Sequence, residues 1–197
     1  MKPLGVILAG GQARRMGGGD KCLLDLKGEP LLTRIAARLR PQVFGMVLNA
    51  NGDPRRFGRF GLPIVADTIA GQPGPLAGVL AGLDHAAEIG ADHILTVAGD
   101  TPFFPEDLGR RLETARSRAE TPLALAGTEV AGRLVRHPTF GLWPVRLRHN
   151  LRSALTQGTR KIVTWTDSHG AAKALFPDAA FFNINTPEDL AKAEARG

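Results

Sequence analysis

Short apolar runs alternate with amphipathic stretches along most of this chain, and this alternation constrains its fold more than any other feature. Runs typical of strands cover residues 5–9, 46–49, 63–66, 93–97, 123–126, 134–143, 161–166 and 181–184. Helical patterns cover residues 30–39, 76–88, 105–118, 145–156 and 187–195. Because alternating strands and helices are joined by right-handed crossovers, we predict an α/β fold with a mostly parallel sheet and helices on both faces. We expect one Rossmann-like domain over residues 1–197.

Composition and charge narrow the classes of partner. The 197 residues carry a formal net charge of +6, but the basic residues are dispersed, only 6% of residues are aromatic and tyrosine is absent. Because single-stranded nucleic acid binds to aromatic platforms, we expect no nucleic-acid partner. The single cysteine, Cys22, rules out an internal disulfide framework and favours a cytoplasmic setting. No apolar run has the length of a membrane span, so we expect no membrane contact.

Polar or glycine-rich residues follow each of the first four predicted strands. A glycine-rich loop follows the first strand, NANG at residues 49–52 the second, Asp67 the third, and GDTP at residues 99–102 the fourth. Ligands of open parallel sheets bind outside the carboxyl ends of the strands. We therefore predict that these four segments border one crevice.

The loop after the first strand has the composition of a phosphate cradle. Residues 8–21 read LAGGQARRMGGGDK, with five glycines and the cations Arg14, Arg15 and Lys21. It is not a Walker A loop, because Cys22 rather than Ser or Thr follows the lysine. A dinucleotide fingerprint is disfavoured too, since Asn49 stands where that fold needs an acidic residue. The remaining alternative is a surface loop with solvated charges.

Single polar residues at the strand ends carry the candidate chemistry. The Asp100 carboxylate would either hold a divalent cation in the crevice or only shape the turn before Pro102. Asp67 can accept hydrogen bonds from a base or a ribose, and Asn49 either reads the same ligand or shapes its loop. The five histidines form no HExxH pattern and no serine lies in a GxSxG elbow, which makes a hydrolase unfavourable.

The motif LAGGxxxRMG, followed by DK and two leucines, resembles the signature loop of sugar-nucleotide-type nucleotidyltransferases, and more narrowly that of the molybdenum cofactor guanylyltransferases. Further motifs of that family follow in the same order: NAN at residues 49–51, an aspartate at 67, GPLAG at 74–78, DTP at 100–102 and NxNTPEDL at 183–190. The similarity covers nearly the whole chain. One departure is Gly99, where members often carry cysteine.

The resemblance implies transfer of GMP from GTP to molybdenum-molybdopterin, with magnesium as the metal and pyrophosphate as the second product. It places the nucleotide-binding positions at Leu8, Ala9, Gly10, Lys21, Asn49, Asp67 and Asp100. Asp100 would be the magnesium ligand, while Arg15 and Lys21 would neutralise phosphate charge during transfer. The resemblance also implies partner proteins that deliver or receive the labile cofactor.

We expect residues 1–105 to form the nucleotide-binding part of the domain and residues 106–197 the acceptor-binding part. Three positions are candidates for contact with the acceptor, Gly78 in the first part and Asn183 and Asn185 in the second. Gly78 would let a pterin approach closely, or else pack its helix against a strand. Asn183 and Asn185 would bond the pterin edge, or else cap the helix that begins near Thr186.

Two other functions stay open at this point. One is a related nucleotidyltransferase with another nucleotide or acceptor, such as the molybdenum cofactor cytidylyltransferase. Enzymes of that pyrimidine type tend to show LAAG where this chain has LAGG at residues 8–11. The other is a non-catalytic nucleotide-binding partner protein, which the presence of Arg15, Lys21 and Asp100 disfavours.

Overall fold

Residues 2–10, 19–69 and 74–196 are described by the structure, a computed structural model. Their main feature is a sheet whose seven strands lie in the spatial order β5 (Ile64–Val65), β4 (Gly45–Asn49), β1 (Leu4–Leu8), β6 (His93–Ala98), β8 (Arg133–Pro144), β7 (Ala124–Val130) and β9 (Ala172–Phe176). The pairs from β5 to β6 and the pair β7–β9 are parallel, whereas β8 runs antiparallel to both neighbours. The prediction of an α/β fold with a mostly parallel sheet is confirmed.

Helices cover both faces of the sheet, because consecutive residues of the inner strands point to opposite sides. In β1, Ile7 belongs to one core, while Val6 and Leu8 belong to the other. The first core takes residues from α1 (Leu31–Leu39), α3 (Leu108–Arg118) and α6 (Pro187–Arg196). The second takes residues from α2 (Pro75–Glu88), α4 (Arg148–Thr156) and α5 (Ile162–Asp167).

Tight turns complete the framework. A two-stranded ribbon of β2 (Asp25–Leu26) and β3 (Glu29–Pro30), which the sequence patterns missed, turns at Lys27 and Gly28 with φ of 56° and 81°. The β7–β8 hairpin turns at Ala131 and Gly132, whose φ of 50° and 74° are those of a type I′ turn.

Two predicted strands in the C-terminal third are wrong. Residues 162–166 of the first predicted strand lie in helix α5, in which Ile162, Trp165 and Thr166 are buried at a spacing of three and four, the helical period. Residues 181–184 pair with no strand in the described chain; a 3₁₀ turn (Asp178–Phe181) leads into extended chain there. The missed strand is β9, where buried and exposed residues alternate.

One sheet joins the N-terminal and C-terminal parts of the described chain. The division into a nucleotide-binding part and an acceptor-binding part near residue 105 stays a prediction. No helix among the described residues is both long and apolar enough to cross a membrane.

Candidate active site

A cavity of about 790 Å³ opens at the carboxyl ends of β1, β4 and β6, where the sequence predicts a crevice. Its walls include all seven positions that the family resemblance assigns to the nucleotide and one of the acceptor candidates: Leu8, Ala9, Gly10, Lys21, Asn49, Asp67, Asp100 and Asn183. The structure therefore brings these residues together around one space. Arg15, the further predicted catalytic cation, lies outside the described residues.

One end of the cavity holds a hydrogen-bonded group around Asp67. Asn49 Nδ2 donates to Asp67 Oδ1 at 2.9 Å, and Asn51 Nδ2 donates to Asp67 Oδ2 at 2.8 Å. Asn51 Oδ1 also accepts from the Asp67 backbone N–H at 2.9 Å. Both carboxylate oxygens are thus fixed, and each retains lone pairs for a ligand N–H or O–H. Asn51, which belongs to the NAN motif but was not among the predicted site residues, makes two hydrogen bonds with Asp67.

Gly78 supports this group from beneath. A Cβ on Gly78 would lie 2.9 Å from both Asn49 Cγ and Leu8 Cδ2, and closer still to Asn49 Oδ1. Gly78 is buried in α2 and makes no part of the cavity wall. Its position fits the packing alternative, in which a missing side chain leaves room for Asn49; a contact between Gly78 and the acceptor stays a prediction.

The Lys21–Asp100 ion pair lies at the other end of the cavity. Lys21 begins a 3₁₀ turn (Lys21–Leu23), and its Nζ lies 3.4 Å from Asp100 Oδ2 and donates to Asn185 Oδ1. The Lys21 and Asp100 side chains are 18% and 22% exposed, so the pair remains open to a ligand from the cavity side. An ammonium group held this way can donate to a phosphate oxygen in place of a protein oxygen.

The chain around Asn183 and Asn185 is fixed to the end of β6. The Ile184 backbone N–H donates to the Asp100 carbonyl oxygen at 2.8 Å, and the Thr101 hydroxyl lies 2.5 Å from Asn183 Oδ1 and 3.1 Å from Asp100 Oδ1. These contacts place both asparagine side chains beside Asp100. A local sequence pattern showed only that they flank a helix start.

A capping box at the start of α6 fixes the position of Asn185. Asp189 Oδ2 accepts from the Asn185 and Thr186 backbone N–H groups at 3.1 Å each, and the Asp189 N–H donates to Thr186 Oγ1 at 3.2 Å. The Asn185 N–H, followed by Thr186, lowers the pKa of the Asp189 carboxyl from its ordinary value. The cap itself is therefore made by Thr186 and Asp189, which leaves the Asn185 side chain free for Lys21.

A second ion pair borders the cavity and had no signal in the sequence. Arg56 Nε donates to Asp20 Oδ2 at 2.5 Å, and Arg56 also donates to the backbone oxygens of Asn51 and Asp53. Arg56 lies in a 3₁₀ segment (Pro54–Phe60), far along the chain from Asp20. Only the folded chain brings the two residues together.

Cys22 is a buried residue of the cavity wall and is unsuited to nucleophilic chemistry. Burial, followed by the negative charge of Asp20, raises the pKa of its thiol to about 12. The thiol is therefore protonated at neutral pH. Gly99 packs close by, since a Cβ there would lie 3.3 Å from Cys22 Cβ and 3.1 Å from the Leu8 carbonyl oxygen.

The donor set suits a magnesium ion that arrives with a nucleotide. Among the described residues, no three His, Cys, Asp or Glu side chains are grouped closely enough to hold a metal by themselves. Magnesium is commonly held by one or two carboxylates together with substrate phosphates and water. Asp100, a carboxylate on the cavity wall beside a lysine, fits that arrangement.

Comparison with known proteins gives consistent family matches. Residues 5–172 match a family model described as a MobA-like NTP transferase domain. A molybdenum cofactor guanylyltransferase from Cereibacter sphaeroides is 49% identical over 196 residues, covering 99% of this chain and 97% of the relative. One from Rhodopseudomonas palustris is 49% identical over 195 residues, covering 96% and 91%.

Solved structures share the fold. Molybdopterin-guanine dinucleotide biosynthesis protein A from Archaeoglobus fulgidus matches with a TM-score of 0.77 at 24% identity, over 98% of this chain and 97% of that one. A CMP:2-keto-3-deoxy-manno-octonic acid synthetase complexed with CTP matches with a TM-score of 0.69 at 16% identity, over 100% and 98%. At these identities the likeness concerns the fold alone.

Proposed function

Because this chain belongs to the MobA-like NTP transferase family and to its molybdenum cofactor guanylyltransferases, we propose that it transfers GMP from GTP to the terminal phosphate of molybdenum-molybdopterin. An ionised oxygen of that phosphate attacks the α-phosphorus of GTP, the bond from the α-phosphorus to the bridging oxygen breaks, and pyrophosphate leaves with the electron pair. The nucleophile needs no activation by a serine, cysteine or histidine. The site accordingly has to position two phosphates and neutralise charge.

The observation that carries the proposal is the two-ended cavity. A fixed carboxylate, Asp67, stands at one end, and the Lys21–Asp100–Asn185 cluster stands at the other. The Asp67 oxygens would accept from guanine N–H groups or from a ribose hydroxyl, so the base end lies toward Asn49 and Asn51. The triphosphate would then extend toward Lys21, with the acceptor approaching from the side of Asn183 and Asn185.

Lys21 performs the main electrostatic task in this arrangement. Its ammonium group would move from Asn185 to a phosphate oxygen and would stabilise charge that develops on the α-phosphate and the leaving pyrophosphate. Arg15 is proposed for the same charge from the glycine-rich loop. Asn185, released by the lysine, would be free to bond the acceptor.

Magnesium belongs to the proposal through Asp100. The ion would neutralise phosphate charge and align the oxygens of the leaving group. Asp100 would hold it, and the hydrogen-bonding groups of Thr101 and Ile184 would keep the Asp100 residue in place. Asp100→Asn keeps the size and the turn propensity of the residue but removes the charge that a divalent cation needs.

The proposed activity is tested by pyrophosphate release from GTP, magnesium and metal-loaded molybdopterin, with CTP and ATP in parallel. We expect release with GTP, because a different base would leave buried polar groups unpaired at ~1–3 kcal/mol each. Release with CTP at the same rate would favour the cytidylyltransferase, and GTP binding without release would favour a non-catalytic partner protein.

The metal is tested separately with Asp100→Asn. We expect transfer to collapse, with partial recovery in manganese, while Tm changes by only a few degrees because a partly exposed ion pair contributes about 0–1 kcal/mol. A magnesium titration that matches that of the wild-type protein, at full activity, would remove Asp100 from the metal site.

The proposal also covers the partner proteins and the location of this protein in the cell. The lability of the cofactor supports partner proteins that deliver molybdenum-molybdopterin or receive its dinucleotide form. A cytoplasmic location is supported by the single, buried cysteine.

A further inference from the structure

Arg56 and Asp20 form an ion pair on the cavity wall, and the proposed chemistry does not use it. Arg56 Nε lies 2.5 Å from Asp20 Oδ2 and Arg56 Nη2 lies 3.3 Å from Asp20 Oδ1, a side-on fork. The two side chains are 29% and 19% exposed, so water screens their charges only in part. Both residues line the cavity.

The negative charge of Asp20 is badly placed for a nucleotide-binding site. Asp20 directly precedes Lys21, the cation proposed for the triphosphate, and an uncompensated carboxylate there would repel phosphate oxygens. It could also compete for the Lys21 ammonium, which in the structure contacts Asp100 and Asn185. Within the described part of the chain, Arg56 is the cation that pairs with Asp20.

We propose that Arg56 is a positioning residue that neutralises Asp20 and so keeps the phosphate end of the cavity able to accept a nucleoside triphosphate. The inference rests on the proposed function, because it assumes that a triphosphate occupies this end. Arg56 acts through Asp20 and not by touching the reacting atoms. Its effect should therefore depend on the phosphates of the ligand and on the presence of the Asp20 charge.

The test compares Arg56→Gln with Arg55→Gln in the full-length protein. Arg55 is the matched control, since it neighbours Arg56 but pairs only with Asp53 in the described chain and its side chain is 90% exposed. We expect Arg56→Gln to raise the Kd and the KM for GTP about tenfold, with kcat changed less than about threefold. The reason is that the uncompensated Asp20 charge, which water screens only in part, would repel the phosphates. Arg55→Gln should match the wild-type protein.

Two further measurements separate charge compensation from mere support of the loop. Guanosine has no phosphates, so its affinity should be the same in Arg56→Gln and in the wild-type protein. Adding Asp20→Asn to Arg56→Gln should recover at least about fivefold of the lost GTP affinity, and Arg56→Lys should lose less than about threefold because it keeps the charge.

Each other outcome overturns the inference. Equal loss of guanosine and GTP affinity would show that Arg56 only supports the Asn51 loop. No recovery in the Arg56→Gln/Asp20→Asn protein would show that Arg56 touches the nucleotide directly. If Arg56→Gln fails to fold, Arg56→Lys is measured alone. A rise of about tenfold in its Kd for GTP would refute the inference, because the lysine keeps the positive charge. A wild-type protein that neither binds GTP nor releases pyrophosphate would refute the proposed function itself.

Discussion

Gly78→Ala is the most revealing single change, because it adds one methyl group beneath Asn49, which bonds Asp67 in the cavity wall. The added Cβ would lie 2.9 Å from Asn49 Cγ and from Leu8 Cδ2, distances that real side chains essentially never adopt. Asn49 is only 4% exposed and has little room to withdraw. The side chain must therefore leave the position from which it bonds Asp67.

The cost can be worked from the contacts that are lost. Overpacking at a buried site costs about 1–3 kcal/mol. Displacing Asn49 breaks its bonds to Asp67 Oδ1 at 2.9 Å and to the Val65 carbonyl at 3.1 Å. Those two bonds contribute ~1 kcal/mol each. The helix gains about 1 kcal/mol from Ala in place of Gly. The net loss is about 2–4 kcal/mol, or a fall in Tm of roughly 4–16 °C for a chain of this size.

Gly82→Ala supplies the control within the same helix. Its added Cβ would meet Val6 Cγ2 at 2.7 Å and Ile94 Cδ1 at 3.3 Å, both apolar groups away from the Asp67 cluster. We expect a smaller loss of stability, about 0–2 kcal/mol, because overpacking is offset by helix propensity and no hydrogen bond breaks. Calorimetric Kd values for GTP should rise about tenfold for Gly78→Ala and stay unchanged for Gly82→Ala.

Three results would refute the reasoning. A Gly78→Ala protein with the Tm of the wild type would show that Asn49 has room to move. A lower Tm with an unchanged Kd for GTP would show that the Asn49–Asp67 group is not part of the nucleotide site. A raised KM for molybdopterin with an unaffected Kd for GTP would instead favour the predicted contact between Gly78 and the acceptor.

Other residues give shorter tests. Lys21→Ala should lower turnover by roughly tenfold to a thousandfold with the fold retained, and near-normal turnover at saturating GTP would show that the lysine is a solvated charge. With its pKa raised to about 12, Cys22 should resist iodoacetamide in the native protein at pH 8 and react after unfolding; rapid native labelling, seen by mass spectrometry, would contradict this. Burial lowers the pKa of both His93 and His137. The unfolded chain then binds more protons just below pH ~6.5, so Tm should fall on acidification through that range, and fall less in His137→Gln; identical pH profiles would oppose it.

The cavity residues at the strand ends were accessible to sequence reasoning because a general rule connects them. Parallel strands present their carboxyl ends at one edge of the sheet. Recognition of the strands therefore predicted that Asn49, Asp67 and Asp100 lie at that edge. These strands are short and almost wholly apolar, which made them recognisable in the sequence, whereas their order in the sheet was not predicted.

The wrong predictions in the C-terminal third arise because the local preference of the residues differs from the structure that tertiary packing favours. Residues 161–166 contain β-branched side chains and a tryptophan, which favour strands, yet tertiary burial of Ile162 and Trp165 on one face makes them a helix. β9 was missed because its buried positions include Ala172 and Ala174, small residues that give an alternating pattern little weight.

The remaining site residues depend on contacts between parts of the chain far apart in sequence. Thr186 correctly indicated where helix α6 starts in the sequence. It did not indicate where in the fold the start of this helix lies. The Ile184 N–H bonded to the Asp100 carbonyl, 2.8 Å away, sets that place, and only then does Asn185 reach Lys21. The same holds for Arg56, whose partner Asp20 lies 36 residues earlier in the chain. In this protein a strand end therefore predicts which residues line the cavity, whereas the residues that hold them there follow only from the assembled fold.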